Sequence, residues 1–448
     1  MIHFKNLKKA FSPTQVMAIG FTMIILLGGL LLMLPLCNKD GHSIPFLQAL
    51  FTSTSATCVT GLVVYDTWTQ FTFWGQFVIM LLIQIGGLGF MAIALLFSMA
   101  LGRRIGLVER SLLVEAFSTE KLSGVVRLMK RILWGTFLIE GVGALLFYIR
   151  FSQDFGWLHG AWYAIFHAVS AFCNAGFDLM GAQAPYSSLT NYVGDALVSM
   201  TAAGLLVIGG LGFVVWDDLL RSRFRWRSLT LHSRVVMTAT ATLLLGGAGL
   251  LLFFERNASF AHLNTGERIL AALFQSATPR TAGFNTVTLS ELSQGGRVLL
   301  TVLMFIGASP GSTAGGVKTT TVVVALAALH SYIRGRQDVN LFHYQLEPRV
   351  VRRAFCAMTL YAILTLGGVF VLTGQGVEAQ AAIFETASAI GTVGLTLGIT
   401  PTLPALSKLA LILLMYSGRV GSLSVFMAVS ERWAPDKLQN PVGKIITG

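Results

Sequence analysis

The sequence predicts an all-α polytopic membrane protein: four pseudo-symmetric units of span, re-entrant pore helix with loop, and span, set around one pore. Three observations carry this. Of 448 residues, 54% are hydrophobic and only 12% charged, against about 25% charged in an ordinary soluble domain. Uncharged apolar runs of bilayer-crossing length recur along the whole chain. Between them, a short segment of one kind occurs four times.

The first apolar run, 16–36, follows Lys5, Lys8 and Lys9. It is longer than a signal-peptide core, and Pro35-Leu36-Cys37-Asn38 lacks a small-residue cleavage pattern, so it reads as an uncleaved span. A short segment, 49–62, and a second long run, 71–101, complete the first unit. The pattern returns as 130–150, 164–177 and 196–220, then as 235–254, 272–284 and 298–333, then as 354–373, 382–395 and 404–430. The units cover 1–104, 105–222, 223–335 and 336–448, the last with a cytoplasmic C-terminal tail. Every short segment runs from Ala-x-Phe through small and hydroxyl residues to a glycine followed by Leu or Phe. The Phe-to-Gly spacing is 10, 10, 9 and 10 residues, and the glycines lie 115, 107 and 111 residues apart.

Charge orients the chain. Of 32 basic residues, 23 fall at the N-terminus, in 103–131, 221–234 and 334–353, and at Arg432, Lys437 and Lys444. The alternating loops hold only Lys39, Arg150, Arg256, Arg268, Arg280, Arg297 and Lys408. This positive-inside bias puts both termini in the cytoplasm of a bacterial inner membrane. It also accounts for the net charge of +12 without nucleic acid. The four cysteines have no metal-ligand spacing.

Each short segment has about 12 apolar residues before its glycine, too few for ~30 Å of hydrocarbon. It must enter and return on the outer side, which non-helical backbone tolerates only when buried in protein or lining an aqueous cavity. Rings of backbone carbonyls that replace a potassium ion's hydration shell are one such structure. They need conformations that glycine adopts cheaply, and a half-helix aims its negative end at the ion. The candidate filter residues are Val59, Thr60 and Gly61; Asn174, Ala175 and Gly176; Thr281, Ala282 and Gly283; and Thr392, Val393 and Gly394. The last three begin the TVGYG potassium-channel loop. The Gly-Gly-x-Gly runs at 86–89 and 209–212 read instead as packing faces.

As one helix, 298–333 would be about 54 Å long, more than the hydrocarbon core. Within it, 307–316 holds Gly307, Gly311, Gly315, Gly316 and Pro310, which favours an unwound loop beneath the filter, with a packing kink as the alternative. Lys318 and Arg419 lie inside apolar runs, where a cation is costly and signals function. Arg419 either faces the pore or pairs with a carbonyl or a Glu; Lys318 either anchors the loop or pairs structurally. Glu140 is expected to hold a buried structural partner. Glu385, Asp66 and Asp178 either raise the local cation concentration or serve as caps and solvated loop residues.

The four loops, the glycine-rich break and Arg419 together resemble the Ktr/Trk/HKT superfamily of potassium transporters, over nearly the whole chain. Pro13-Thr14-Gln15-Val16 leading straight into the first span is most similar to the Ktr membrane subunit, KtrB. So are Thr278-Pro279-Arg280-Thr281-Ala282-Gly283-Phe284-Asn285 and the final Thr447-Gly448. The resemblance implies four M1-P-M2 units, a homodimer with one pore per subunit, and filter glycines at 61, 176, 283 and 394. It also implies a gating loop at 307–316 with Lys318 and Arg419 nearby. A cytosolic RCK-type nucleotide-binding ring, KtrA-like and responsive to ATP or ADP, would control opening. Potassium is then the transported ion, sodium an activator in some relatives, and no organic cofactor is expected. Sodium-conducting HKT relatives carry serine in the first loop, where this chain has glycine.

Two other classes are weighed. Secondary transport, coupling potassium to sodium or protons, often uses inverted repeats, whereas units that cross twice share one orientation. Channel-like uptake driven by the membrane potential is the better reading. An enzyme is excluded by the absence of H-E-x-x-H and of paired mid-membrane carboxylates, and Gly316-Val317-Lys318 breaks the P-loop pattern.

Overall fold

A computed structural model describes residues 13–89 and 125–421. Lys5, Lys8 and Lys9, the basic stretch from Arg103 to Lys121, the tail with Arg432, Lys437 and Lys444, and Thr447-Gly448 lie outside the described residues. So do the far ends of runs 71–101 and 404–430.

The helices are α1 (Pro13–Leu32), α2 (Phe46–Thr57), α3 (Thr67–Gln70), α4 (Phe73–Leu88), α5 (Val125–Phe172), α6 (Ala196–Leu211) and α7 (Phe213–Arg221). There follow α8 (Leu231–Glu255), α9 (Thr265–Ala277), α10 (Gln294–Phe305), α11 (Thr319–Ile333), α12 (Pro348–Gly374), α13 (Ala379–Gly391) and α14 (Ala405–Val420). The described residues add one antiparallel hairpin, β1 (Asn340–Leu341) with β2 (Tyr344–Gln345). Among the described residues α1, α5, α8 and α12 are long and apolar enough to cross a membrane, and the bent pair α6–α7 is a fifth if it counts as one span. Their outward faces expose Leu27, Leu30, Phe253 and Phe370, the surface that a hydrocarbon solvent calls for.

Short helices pack against long ones: α2 on α1, α9 on α8, and α13 on α12. The close approach has a repeated cause. On α1, Gly28 leaves room for Ser53 of α2, whose hydroxyl donates to Ile25 O at 2.7 Å. On α8, Gly247 leaves room for Ser276 of α9, whose hydroxyl donates to Leu244 O at 2.7 Å. Small residues facing a hydroxyl let two backbones approach where water cannot help. Run 130–150 and the helical part of 164–177 are continuous as α5, and the chain turns at Gly156 (φ 77°, ψ 170°).

The runs that follow the short segments break early. Run 196–220, expected as one span, is bent by 91° between α6 and α7. The cause is Gly212 at φ 95°, a conformation that removes the residue from the helical ladder. Helix α4 ends at Gly89 (φ 81°) and α14 at Gly421 (φ 91°). Run 298–333 is split into α10 and α11 by the predicted break. Just before three of these breaks, Gly86, Gly209 and Gly418 lie against the carbonyls of Thr57, Phe172 and Ile390 at the ends of short helices.

A methyl group at Gly86 would collide with that Thr57 backbone, whereas at Gly141 it would meet nothing within 4 Å. Gly86→Ala should therefore cost about 1–3 kcal/mol through overpacking, and Gly141→Ala should be neutral. Thermal unfolding in detergent checks this, and equal midpoints for the two variants would contradict the packing.

Candidate ion-conducting site

Short helices α2, α9 and α13 and the second half of α5 each run into a loop with the same backbone twist. The residue two before each filter glycine is left-handed: Val59 (φ 50°), Asn174 (58°), Thr281 (70°) and Thr392 (52°). The glycines are left-handed too, at 99°, 68°, 80° and 90° for Gly61, Gly176, Gly283 and Gly394. Alternating handedness turns successive carbonyls toward one side. For β-branched Val59, Thr281 and Thr392 this costs on the order of 1–2 kcal/mol each, so the surroundings must impose it. They do so with one bond per loop: Thr60 N–H to Ser55 O, Ala175 N–H to Ser170 O and Val393 N–H to Ser388 O at 2.8 Å, and Ala282 N–H to Thr278 O at 2.9 Å. Ser55 and Ser388 hydroxyls also accept from Gly61 and Gly394 N–H at 3.0 Å.

The four loops close into a ring. A methyl group on Gly61 would meet Ala175 O at 2.6 Å, on Gly176 it would meet Ala282 O at 2.8 Å, and on Gly283 it would meet Val393 O at 2.8 Å. On Gly394 it would strike Thr60 O. Each glycine thus faces the carbonyl of the next loop, at the same position, in cyclic order. All twelve candidate filter residues lie in these four loops around one axis.

The residue after each short-helix phenylalanine is Thr52, His167, Gln275 or Glu385, and all four are essentially fully buried. His167 has one ring nitrogen 2.7 Å from Tyr163 O, and the other accepts from Leu179 N–H at 3.4 Å. Glu385 accepts from Thr396 at 3.1 Å and from Thr400. Sequence reasoning singled out only Glu385 of these; aligning the four segments one position beyond the phenylalanine shows the whole set. Glu140 accepts from half-buried Gln84 at 3.2 Å, and the buried thiol of Cys173 lies 3.9 Å from its other oxygen.

Beyond the first of these loops, Asp66 caps α3 through Thr69 N–H at 2.8 Å and also accepts from Tyr186 N–H at 3.0 Å. Asp178, in the loop after the second filter glycine, accepts from Met180 N–H at 2.9 Å. Burial first, and the nearby charge of Asp66 second, push the Asp178 carboxyl up to about 7.

On the opposite side lies the loop between α10 and α11. Its legs are joined by a parallel bridge of Ile306 with Val317 and by Thr319 N–H to Ala308 O at 3.2 Å. Carbonyls freed by the end of α6 hold it: Ser309 N–H to Gly210 O at 3.1 Å and Thr313 N–H to Gly209 O at 3.3 Å, while Phe213 N–H donates to Gly311 O at 2.8 Å. Thr313 Oγ1 donates to Phe172 O at 3.2 Å, and Gly316 N–H to Gly418 O at 3.2 Å. A Cβ on Gly316 would lie 3.0 Å from Gly391 O, so the loop abuts the base of the fourth candidate filter loop. Pro310 abuts the Gly212 break, and Gly307 packs on Gly315.

Lys318 Nζ donates to Ala314 O at 2.8 Å and so anchors the loop to itself. Arg419 donates to Thr313 O in the loop, and to Gly86 O at 2.5 Å and Gly87 O at 2.9 Å at the end of α4. Of the partners open from the sequence, carbonyls are those it has. A guanidinium at the negative end of a helix is well placed electrostatically. The runs at 86–89 and 209–212 therefore do more than pack: their terminal carbonyls hold Arg419 and the loop. Arg280, counted among outer-loop cations, is instead buried behind the third filter loop, only 7% exposed.

Residues 6–439 match the TrkH family, described as cation transport protein. The chain belongs to that family. It is 42% identical to the potassium/sodium uptake protein NtpJ of Enterococcus hirae, over 95% of this chain and 94% of that one. It is 40% identical to the Ktr system potassium uptake protein B of Bacillus subtilis, over 98% and 97%. The corresponding Vibrio alginolyticus protein is 37% identical over 97% and 94%. The fold is similar to the crystal structure of the potassium transporter TrkH from Vibrio parahaemolyticus, with TM-score 0.72 at 21% identity, covering 95% of this chain and 86% of that one. The family is one of cation transporters, not enzymes.

Arg419→Gln removes the charged donors that tie the loop to α4. Charged hydrogen bonds are worth about 1.5–3 kcal/mol each, so the amides of Thr313 and Gly316 should exchange with solvent deuterium roughly tenfold faster or more. Unchanged protection would show that Arg419 does not hold the loop.

Proposed function

We propose that this chain takes up potassium across the bacterial inner membrane through a channel-like pore, driven by the membrane potential. The observation that carries the proposal is the closed ring in which each filter glycine faces the carbonyl of the next loop. Four equivalent carbonyls about one axis can replace water around a dehydrated cation. The names of relatives in Enterococcus, Bacillus and Vibrio, each a potassium uptake protein, support potassium as the ion.

On this reading the chain comprises four M1-P-M2 units, 1–104, 105–222, 223–335 and 336–448, with both termini cytoplasmic. Val59, Thr60, Gly61, Asn174, Ala175, Gly176, Thr281, Ala282, Gly283, Thr392, Val393 and Gly394 form the filter. The 307–316 loop obstructs the path below it, held closed by Arg419 and braced by Lys318. A homodimer works with a cytosolic RCK-type ring that binds ATP or ADP; the name "Ktr system" of the Bacillus relative supports a partner subunit. The sodium in the name of the Enterococcus relative keeps ion coupling as the second reading. Against it, Glu140 of α5 and Glu385 of α13, two buried carboxylates on helices, are each engaged by local donors.

In cells lacking their own uptake systems, the wild-type chain with a cognate cytosolic subunit should restore growth at low potassium. Gly61→Ser, which sets a side chain against Ala175 O, should lower potassium-over-sodium preference by roughly tenfold or more, the effect of about 1.4 kcal/mol at one site. No potassium flux from wild type would sink the function; intact selectivity in Gly61→Ser would sink the filter.

Asp178 gains charge as pH rises through about 7. Uptake at limiting potassium should therefore rise from pH 6 to pH 8 as the outer mouth becomes more negative. Asp178→Asn should flatten that rise. An equal rise in the variant would assign the pH response to another group.

A further inference from the structure

Behind the third filter loop is a cavity of ≈ 10 Å³ whose lining includes Gly210 of α6, Thr240 of α8, Arg280, and Ala308, Ser309 and Thr319 of the loop legs. This is room for about one water-sized sphere. Arg280 is 93% buried by its 7% exposure, and its Nε has no hydrogen-bond partner. None of the ion pairs among the described residues includes it. A buried, uncompensated guanidinium is strongly unfavourable unless a counter-charge accompanies it.

Three further features of the cavity wall point to the sign of that charge. Thr319, in the cavity lining, opens α11, a helix of 15 residues whose N-cap, Lys318, offers no side-chain acceptor, so the positive end of the helix lies beside the cavity. The hydroxyls of Ser309 and Thr319 lie 3.1 Å apart. One proton serves that bond, and the other hydroxyl proton is free for a third group. Thr240 adds another hydroxyl from α8. Donors and positive charge meet the apolar side chains of Leu206, Val207 and Ala277 around a space too small for phosphate or a carboxylate. A water molecule would fit but would leave the guanidinium uncompensated.

We propose that this cavity is a binding site for one monatomic anion of the halide class, held between Arg280 and the N-terminus of α11 at Thr319. Because Ala308, Ser309 and Thr319 supply one wall, the site exists only with the 306–318 segment in the position seen here. By linkage, the anion favours that position over any in which the loop withdraws. A bound halide also screens the Arg280 charge from the neighbouring filter loop.

The test uses the full chain purified in detergent. Its unfolding midpoint is followed in sodium chloride and sodium bromide against sodium gluconate at constant ionic strength. The expected result is a saturable rise in halide alone, on the order of 2 °C at ten times Kd, which Arg280→Gln abolishes. Superimposable curves in halide and gluconate, or an equal halide effect in Arg280→Gln, would overturn the site. Should that variant fail to fold, wild-type crystals grown in bromide decide alone. An anomalous peak between Arg280 and Thr319 supports the site, and a cavity without bromide signal, filled by water, refutes it.

Discussion

A glycine backbone lying against the carbonyl of the next loop, four times in a circle, leaves no space for a β-carbon at any of the four positions. That steric condition organises much of the fold. It requires short helices that stop inside the protein, so that unpaired backbone can gather at the axis. It also requires left-handed residues at Val59, Asn174, Thr281 and Thr392, three of them β-branched. Such backbone persists only when over-determined, and the serine and threonine bonds at the base of each loop supply the constraint. The glycines of α1 and α8 follow from the same demand, since they let Ser53 and Ser276 bring the short helices close.

The broken helices are the second consequence. A helix that ends in the membrane leaves carbonyls that no water can satisfy. In α4 and α6 these carbonyls meet Arg419 and the 306–318 loop, so the two irregular features satisfy one another. The buried cation and the interrupted span are thus parts of one arrangement. It joins α4, α6, α14 and the loop between α10 and α11 beneath the ring.

Much of this was legible in the chain. The fourfold spacing from phenylalanine to glycine located the loops, and Gly307, Pro310, Gly311, Gly315 and Gly316 located the break, because glycine and proline act on the backbone locally. Breaks at Gly89, Gly212 and Gly421 were missed. Glycines that allow packing and glycines that end a helix look alike until φ is known, and the run at 209–212 does both. The left-handed Val59 and Thr392 were equally hidden, since their own propensities favour other conformations. Arg280 was misplaced for a related reason: charge counting assigns residues to exposed loops, whereas this loop folds back and buries its arginine. The partners of Arg419 lie 106 (Thr313), 333 (Gly86) and 332 (Gly87) residues away, which no local pattern encodes.

The central claim is that dehydrated potassium rests on the axis of the four-loop ring. Crystals of the chain grown in rubidium, a heavier ion of nearly the same size, allow the ion to be located by its anomalous scattering. The expected result is density on the axis, coordinated by the carbonyls of Thr60, Ala175, Ala282 and Val393, and displaced by excess potassium but not by sodium. Rubidium found only at other sites, or an axial peak that sodium displaces equally well, would contradict it.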